Sequence, residues 1–272
     1  MRFGMPTLIE IRQLEDTMKL CRELGLDFVE LNMNLPDYQT DRLQDTEKLL
    51  QLKERYQIGY TIHLDENLNV CDFNKEVAAA YRNTVKRTIA AAKALDVPIL
   101  NMHMNHGVYF TLPERKVELF AVYQEEYRDA WARFRCMCEE EIGDAGIRIC
   151  IENTDGYRDY EKQAICELLE SKVFGLTWDI GHSHSVQDVD EPFLMEHAER
   201  LWHFHIHDAS GTKNHRALGT GEIDLIQRLR IADAHHCRCV LETKTVRGLR
   251  ESVDWLREKA AQGMSGTPGE GT

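Results

Sequence analysis

Eight short runs along the chain alternate apolar and polar or small side chains with a period of two. They read RFGMPTL, DFVELNMN, QIGYTIHL, VPILNMHM, IRICIEN, VFGLTWD, LWHFHIH and CRCVLET. A period of two is the side-chain alternation of a β-strand. Between these runs the apolar spacing lengthens. Val77, Tyr81, Val85, Ile89 and Ala92 recur every three to four residues, as do Leu249, Val253, Leu256 and Ala260, which predicts amphipathic helices. Gly25, Gly146 and the Asp96-Val97-Pro98 stretch have the character of helix stops and turns. Eight strand–helix units in one chain predict an α/β fold of the (β/α)8 TIM-barrel type. A doubly wound open sheet is the competing arrangement, but the Gly-rich nucleotide turn expected after its first strand is missing. No linker interrupts the pattern, so residues 1–262 read as a single domain and the Gly-rich stretch 263–272 as a disordered tail.

The parity within each strand decides which side chains face the barrel interior. In IRICIEN, Ile147, Ile149 and Ile151 share one face, while Arg148, Cys150 and Glu152 share the other. Applied strand by strand, the interior faces finish in His63, His103, Glu152, Asp179, His205 and Glu242. A single strand-end histidine is ordinarily a hydrogen-bonded structural residue. Six titratable residues at one rim are hard to reconcile with packing, because buried carboxylates are costly unless paired or metal-bound. That rim is also where barrels of this class place their sites. Glu152, Asp179, His205 and Glu242 offer three carboxylates and one imidazole, a set suited to one divalent ion. Mn, Mg or Co fit best, with Zn tolerated. In HFHIHD, the histidines 203, 205 and 207 share a face. Only His205 need be a ligand, leaving His203 and His207 to support it or to meet substrate.

Charge narrows the partners. Acidic residues outnumber basic ones 46 to 33, a formal net charge of −13, which disfavours a surface built to hold nucleic acid. A small basic pocket for a phosphorylated metabolite remains compatible with it. No apolar run approaches a membrane span, and the N-terminus reaches acidic residues too early for a secretory signal. The 8 cysteines are scattered through the predicted elements, and Cys136/Cys138 and Cys237/Cys239 have the wrong spacing for a CxxC motif. Reduced thiols, with these pairs serving packing, and a cytoplasmic location are the expectation.

The motifs IENTDG, WDIGHSH, HFHIHDASG with HRALGTGEIDL, and LETK resemble the strand-end motifs of the xylose-isomerase-like TIM barrels. That superfamily includes sugar-phosphate isomerases and epimerases, ketose 3-epimerases, hydroxypyruvate isomerase, inosose dehydratase and the type-2 apurinic endonucleases. The resemblance runs from Phe3 to about Ala260. It implies a metal quartet of Glu152, Asp179, His205 and Glu242, with Glu152 and Glu242 as the catalytic acid–base pair. It also implies site roles for His63, His103 and His215, and for His182 as a substrate-contacting or second-metal histidine. His207 and Lys244 join them as candidate substrate contacts on their positions at the strand ends. The implied activity is a metal-dependent isomerase or epimerase of a sugar, keto-sugar or sugar phosphate, working by proton transfer through an enediolate. A lyase dehydrating a keto-polyol such as an inosose is the alternative.

Two departures bear on the subfamily. Ketose 3-epimerases carry an arginine in the loop after strand seven, whereas DASGTKNHR places Arg216 late. The three-zinc endonucleases carry an aspartate where this chain has Lys213, which with the acidic balance ranks an endonuclease-like phosphodiesterase lowest. The resemblance further implies a small-molecule carbohydrate partner, neither nucleic acid nor membrane, and pairing into a homodimer or homotetramer.

Several other positions carry blander expectations. Glu30 reads as the structural partner of a basic group, and His235 and His236 as solvated residues at the far end of the barrel. Tyr109, Phe110 and Trp178 are divided between pocket wall and packing, and Lys244 between substrate contact and surface charge. The insertion Asn105–Glu118 follows His103 and is a candidate lid or subunit contact.

Overall fold

Eight parallel strands close on themselves: β1 (Arg2–Pro6), β2 (Phe28–Asn32), β3 (Gly59–His63), β4 (Ile99–His103), β5 (Arg148–Glu152), β6 (Phe174–Asp179), β7 (Leu201–Ile206) and β8 (Arg238–Leu241). Each pairs with its successor, and β8 pairs with β1 through Arg2↔Arg238, Phe3↔Cys239 and Gly4↔Val240. This computed structural model describes residues 1–262; the stretch 263–272, expected to be a disordered tail, lies outside the described residues. A helix follows every strand: α1 (Leu14–Leu24), α2 (Thr46–Tyr56), α3 (Lys75–Leu95), α4 (Gln124–Ile142), α5 (Asp159–Leu169), α6 (Ile180–Ser185), α7 (Leu225–Ala234) and α8 (Val246–Ala261). The molecule is a (β/α)8 TIM barrel. No described helix is long and apolar enough to cross a membrane.

Local chemistry sets where the helices begin and end. The Asn74 side chain accepts the Glu76 amide at 3.1 Å, and Thr245 accepts that of Gly248 at 3.1 Å; each satisfies an amide left open by a first helical turn. Gly25 ends α1 in the left-handed region at φ 73°, and Asp96 ends α3 there at φ 54°, in line with their punctuation of the sequence.

The apolar parity faces outward. Ile149, Ile151, Trp178, Phe204 and Ile206 are fully buried between barrel and helices, each burial being worth roughly 1.5–3 kcal/mol. Trp178 packs on Phe204 with ring centroids 5.6 Å apart and lies under the Arg228 guanidinium at 4.5 Å. It belongs to this layer and not to a pocket wall. All eight cysteines are free thiols; Cys138, Cys237 and Cys239 are buried, but Cys136 is exposed. Cys136 and Cys138 both lie on α4, where a step of two residues carries the side chain about half-way round the helix. The face that buries Cys138 therefore leaves Cys136 toward solvent, and packing does not account for it.

Register brings the polar residues of the interior face to one level. His103 pairs with Glu152, Asp179 with His205, and Asn32 with His63. Two antiparallel hairpins decorate the C-terminal end of the barrel. Tyr109–Thr111 pairs with Lys116–Glu118 inside the 105–118 insertion, and Asp208–Ser210 pairs with Lys213–Arg216 after β7. Tyr109 and Phe110 are exposed on the first hairpin.

Candidate metal centre

Glu152, Asp179, His205 and Glu242 end, or directly follow, β5, β6, β7 and β8. Each offers a ligand atom, and these atoms all lie within 4.8 Å of one another. All four side chains are buried. Asp179 is fixed on both sides. Its own amide donates to Asn153 Oδ1 at 2.8 Å, and its Oδ1 caps α6 by accepting the His182 amide at 2.7 Å.

Glu152 is the hub. One oxygen lies 3.0 Å from His205 Nδ1. The other accepts from the Asn101 amide and lies 3.0 Å from His103 Nε2 and 3.5 Å from His63 Nε2. Burial opposes its ionisation, yet the imidazoles of His205 and His103 outweigh burial and hold the carboxyl well below the usual range. Glu242 follows the same pattern: burial raises it, while His205, Lys244 and His215 bring it below the ordinary carboxylate value. Both glutamates are therefore ionised at neutral pH, the state required to accept a proton.

Beneath the quartet lies a second polar layer. Glu30 of β2, 1% exposed, accepts from Thr61 Oγ1 at 2.9 Å and from His203 Nε2 at 2.8 Å. Its other oxygen lies 2.9 Å from His205 Nε2. With Nε2 turned to Glu30, His205 presents Nδ1 to the other members of the quartet. Carboxylate–histidine pairs of this kind fix ring orientation and ligand basicity in metal sites. Burial pushes the His205 imidazole down, but Glu152, Glu30 and Glu242 together raise it well above its ordinary value.

The other predicted site histidines fall into two groups. His63 and His207 are buried and face carboxylates of the quartet. His63 donates Nδ1–H to the Leu64 carbonyl at 2.7 Å and faces Glu152; His207 Nε2 sits 3.0 Å from Asp179 Oδ1. The His215 amide donates to His207 Nδ1 at 2.8 Å, which leaves Nε2 as the nitrogen that donates to Asp179. Gly181 is required for this arrangement, because a Cβ there would lie 1.9 Å from His207 Cε1.

His103, His182 and His215 are partly open to solvent, at 16%, 27% and 20% side-chain exposure. They line the approach together with the half-exposed Lys244, whose ammonium lies 2.7 Å from Glu242 Oε1. Burial, with the neighbouring His207 and Lys244, pushes His215 down to about 4, so it stands neutral as a hydrogen-bonding group. Lys213 is exposed on its hairpin. Arg216 spends its guanidinium on the Thr220 carbonyl at 3.0 and 2.6 Å.

The donor set fits a divalent cation. Glu242 Oε2 is buried without a hydrogen-bond partner and lies 3.5 Å from His205 Nδ1. A buried carboxylate oxygen left unpaired beside two more carboxylates is costly unless a cation meets it. Glu152, Asp179, His205 and Glu242 would hold the ion, and Glu30 and His207 would orient two of the ligands.

Sequence reasoning overlooked one cluster beside this centre. His106 lies 2.6 Å from Glu161 and 2.5 Å from Asp155, and Arg158 ties Asp155 at 2.7 Å and Glu118 at 3.4 Å. It fastens the base of the 105–118 hairpin to the loop after β5. Its only sequence signal is the density of charges in TDGYRDYE.

A (β/α)8 barrel with a buried three-carboxylate, one-imidazole cluster at its C-terminal rim defines a class of metal-site barrels. The chain belongs to the xylose isomerase-like TIM barrel family, whose model matches residues 18–259. No curated protein matches the chain. Solved structures of the same fold include a D-tagatose 3-epimerase-like protein, 23% identical, with a TM-score of 0.77 over 96% of this chain and 98% of that one. A 3-keto-D-glucoside 4-epimerase from E. coli is 16% identical, with a TM-score of 0.73 over 95% and 99% of the two chains. The IolI protein with a zinc atom is 15% identical, with a TM-score of 0.72 over 97% and 98%.

Proposed function

We propose that the protein is a divalent-metal-dependent isomerase or epimerase of a sugar, keto-sugar or sugar phosphate. The observation that carries this reading is the pair of buried, ionised glutamates, Glu152 and Glu242, flanking His205 Nδ1 at 3.0 and 3.5 Å. A divalent ion held by the quartet would supply Lewis acidity toward neighbouring carbonyl and hydroxyl oxygens. The chain's own residues do the rest. One glutamate removes the proton from the carbon beside the carbonyl and becomes the acid. The other, itself ionised at rest, first takes a proton from water or a substrate hydroxyl and then delivers it to the substrate, and exchange with solvent resets the pair. His103, His182, His215 and Lys244 hold the substrate hydroxyls at the open side, while the buried floor keeps bulk water from the reacting carbon. That several structures of this fold are sugar epimerases supports a carbohydrate substrate.

Metal analysis of the purified protein, followed by proton exchange from D2O into a panel of ketoses and inososes read by NMR, tests the proposal. One Mn, Mg or Co per chain and exchange at a carbon beside the carbonyl support it. Two or three Zn per chain without exchange would overturn it in favour of a phosphodiesterase.

A further inference from the structure

At the end of the barrel opposite the quartet, where the strands begin, a cavity of about 1020 Å³ opens. Five cationic side chains line it, Arg2, Arg22, Lys53, Arg238 and Arg257, against the two carboxylates of Asp27 and Asp96. In a chain of net charge −13, this concentration of positive charge is not the general character of the surface.

Three of the cations have structural work. Arg22 donates to the Tyr56 carbonyl at 3.4 Å, Lys53 to the Leu95 carbonyl at 2.6 Å, and Arg257 to the Leu24 carbonyl at 2.9 Å. Each covers the carbonyl end of a neighbouring helix, which carries partial negative charge. Arg2 and Arg238 have no such task. They are directly paired positions on β1 and β8, so their side chains leave the sheet on the same side. Among the described residues, neither guanidinium lies within ion-pairing distance of a carboxylate. Two like charges side by side on paired strands oppose folding. Burial and the neighbouring Arg2 charge push the Arg238 guanidinium below its ordinary value.

We infer that this cavity is a second ligand site, for a small phosphate-bearing anion of two or more negative charges, centred on Arg2 and Arg238. Paired guanidinium forks match phosphate oxygens in number and geometry. Arg22 and Arg257 line the same cavity, with Arg257 Nη1 3.6 Å from Asp254. A compact concave basin, unlike a stripe, suits a small metabolite and not a nucleic-acid strand. Because the basin lies at the far end of the barrel, its occupancy leaves the carboxylate rim open. An anion bound there stabilises the folded chain by mass action.

Inorganic pyrophosphate is the probe, titrated into the full chain by calorimetry at constant ionic strength. The expected result is one saturable, sub-millimolar site, weakened about tenfold or more in Arg2→Gln and in Arg238→Gln and unchanged in Glu152→Gln. Pyrophosphate should raise the melting temperature of the wild type and of Glu152→Gln, and fail to raise that of the arginine variants. Without pyrophosphate, Arg238→Gln should melt no lower than the wild type, since it removes one of two adjacent like charges. Should Arg238→Gln fail to fold, Arg2→Gln, whose side chain is exposed, carries the test. No saturable binding to the wild type, or binding lost in Glu152→Gln and kept in Arg2→Gln, would overturn the inference, the latter by placing the anion at the metal centre.

Discussion

Replacing Glu30 with glutamine probes how the metal centre is held. Glu30 sits a layer below the quartet; Thr61 Oγ1 and His203 Nε2 meet one of its oxygens at 2.9 and 2.8 Å, and His205 Nε2 lies 2.9 Å from the other. Glutamine keeps the shape but offers one carbonyl oxygen and one NH2 group. At least one imidazole then faces a donor instead of an acceptor and must turn over or shed its proton. If that ring is His205, Nδ1 no longer presents its lone pair reliably to the quartet. Loss of an orienting partner of this kind costs about 10–100-fold in metal affinity, or roughly 1.4–2.8 kcal/mol. Removing one member of a buried charged pair also destabilises the fold, by about 3–5 kcal/mol where the pair is fully buried. Competition of Mn2+ between the protein and a chromogenic chelator measures the first effect, and urea denaturation of the metal-free chain measures the second. A folded Glu30→Gln protein that binds Mn2+ as tightly as the wild type would refute the orienting role.

Three further outcomes are expected. Gly181→Ala sets a methyl group against His207 and should destabilise the protein by about 1–3 kcal/mol, with a parallel loss of metal affinity because His207 steadies Asp179. Burial opposes protonation of His106, but Asp155 and Glu161 outweigh it and raise the imidazole to about 9, with Arg158 and Tyr160 packed against it. Since the folded value lies above the unfolded one, this stability is complete below about pH 6.5 and is lost as pH rises through about 9. Unfolding free energies at pH 6 and pH 10 should therefore differ by roughly 2–3 kcal/mol more in the wild type than in His106→Gln, and equal pH dependence would count against the cluster. Lys244→Met should leave metal affinity nearly unchanged while raising KM more than it lowers kcat, as measured by steady-state kinetics; a purely catalytic defect would place the ammonium elsewhere in the reaction.

The barrel was legible because its strands are short, regular and marked by a parity that separates helix-facing from interior side chains. The same parity picked out Glu152, Asp179, His205 and Glu242, which the structure brings within 4.8 Å. What parity cannot supply is the level of one strand against another across the barrel. Glu30 shares the interior parity of DFVELNMN, and its contact with His203 and His205 across 173 and 175 positions of sequence becomes visible only once β2 and β7 face each other. The division of the histidines had the same limit: His63 and His207 are buried against ligands while His103, His182 and His215 reach solvent, a difference set by depth at the rim. The His106–Asp155–Glu161 cluster joins two loops and a helix start, where no period operates. The paired arginines of the far end were hidden for another reason, since Arg2 and Arg238 become neighbours only when β8 closes the barrel onto β1.

The most direct test of the central claim is the exchange of deuterium from D2O into a ketose substrate by Glu152→Gln and Glu242→Gln, each with its divalent ion bound and its fold confirmed by circular dichroism. If these carboxylates carry the proton, exchange at the carbon beside the carbonyl falls by about 10²–10⁴-fold in either variant while the wild type exchanges and turns over. Full turnover by metal-loaded Glu152→Gln would contradict the account.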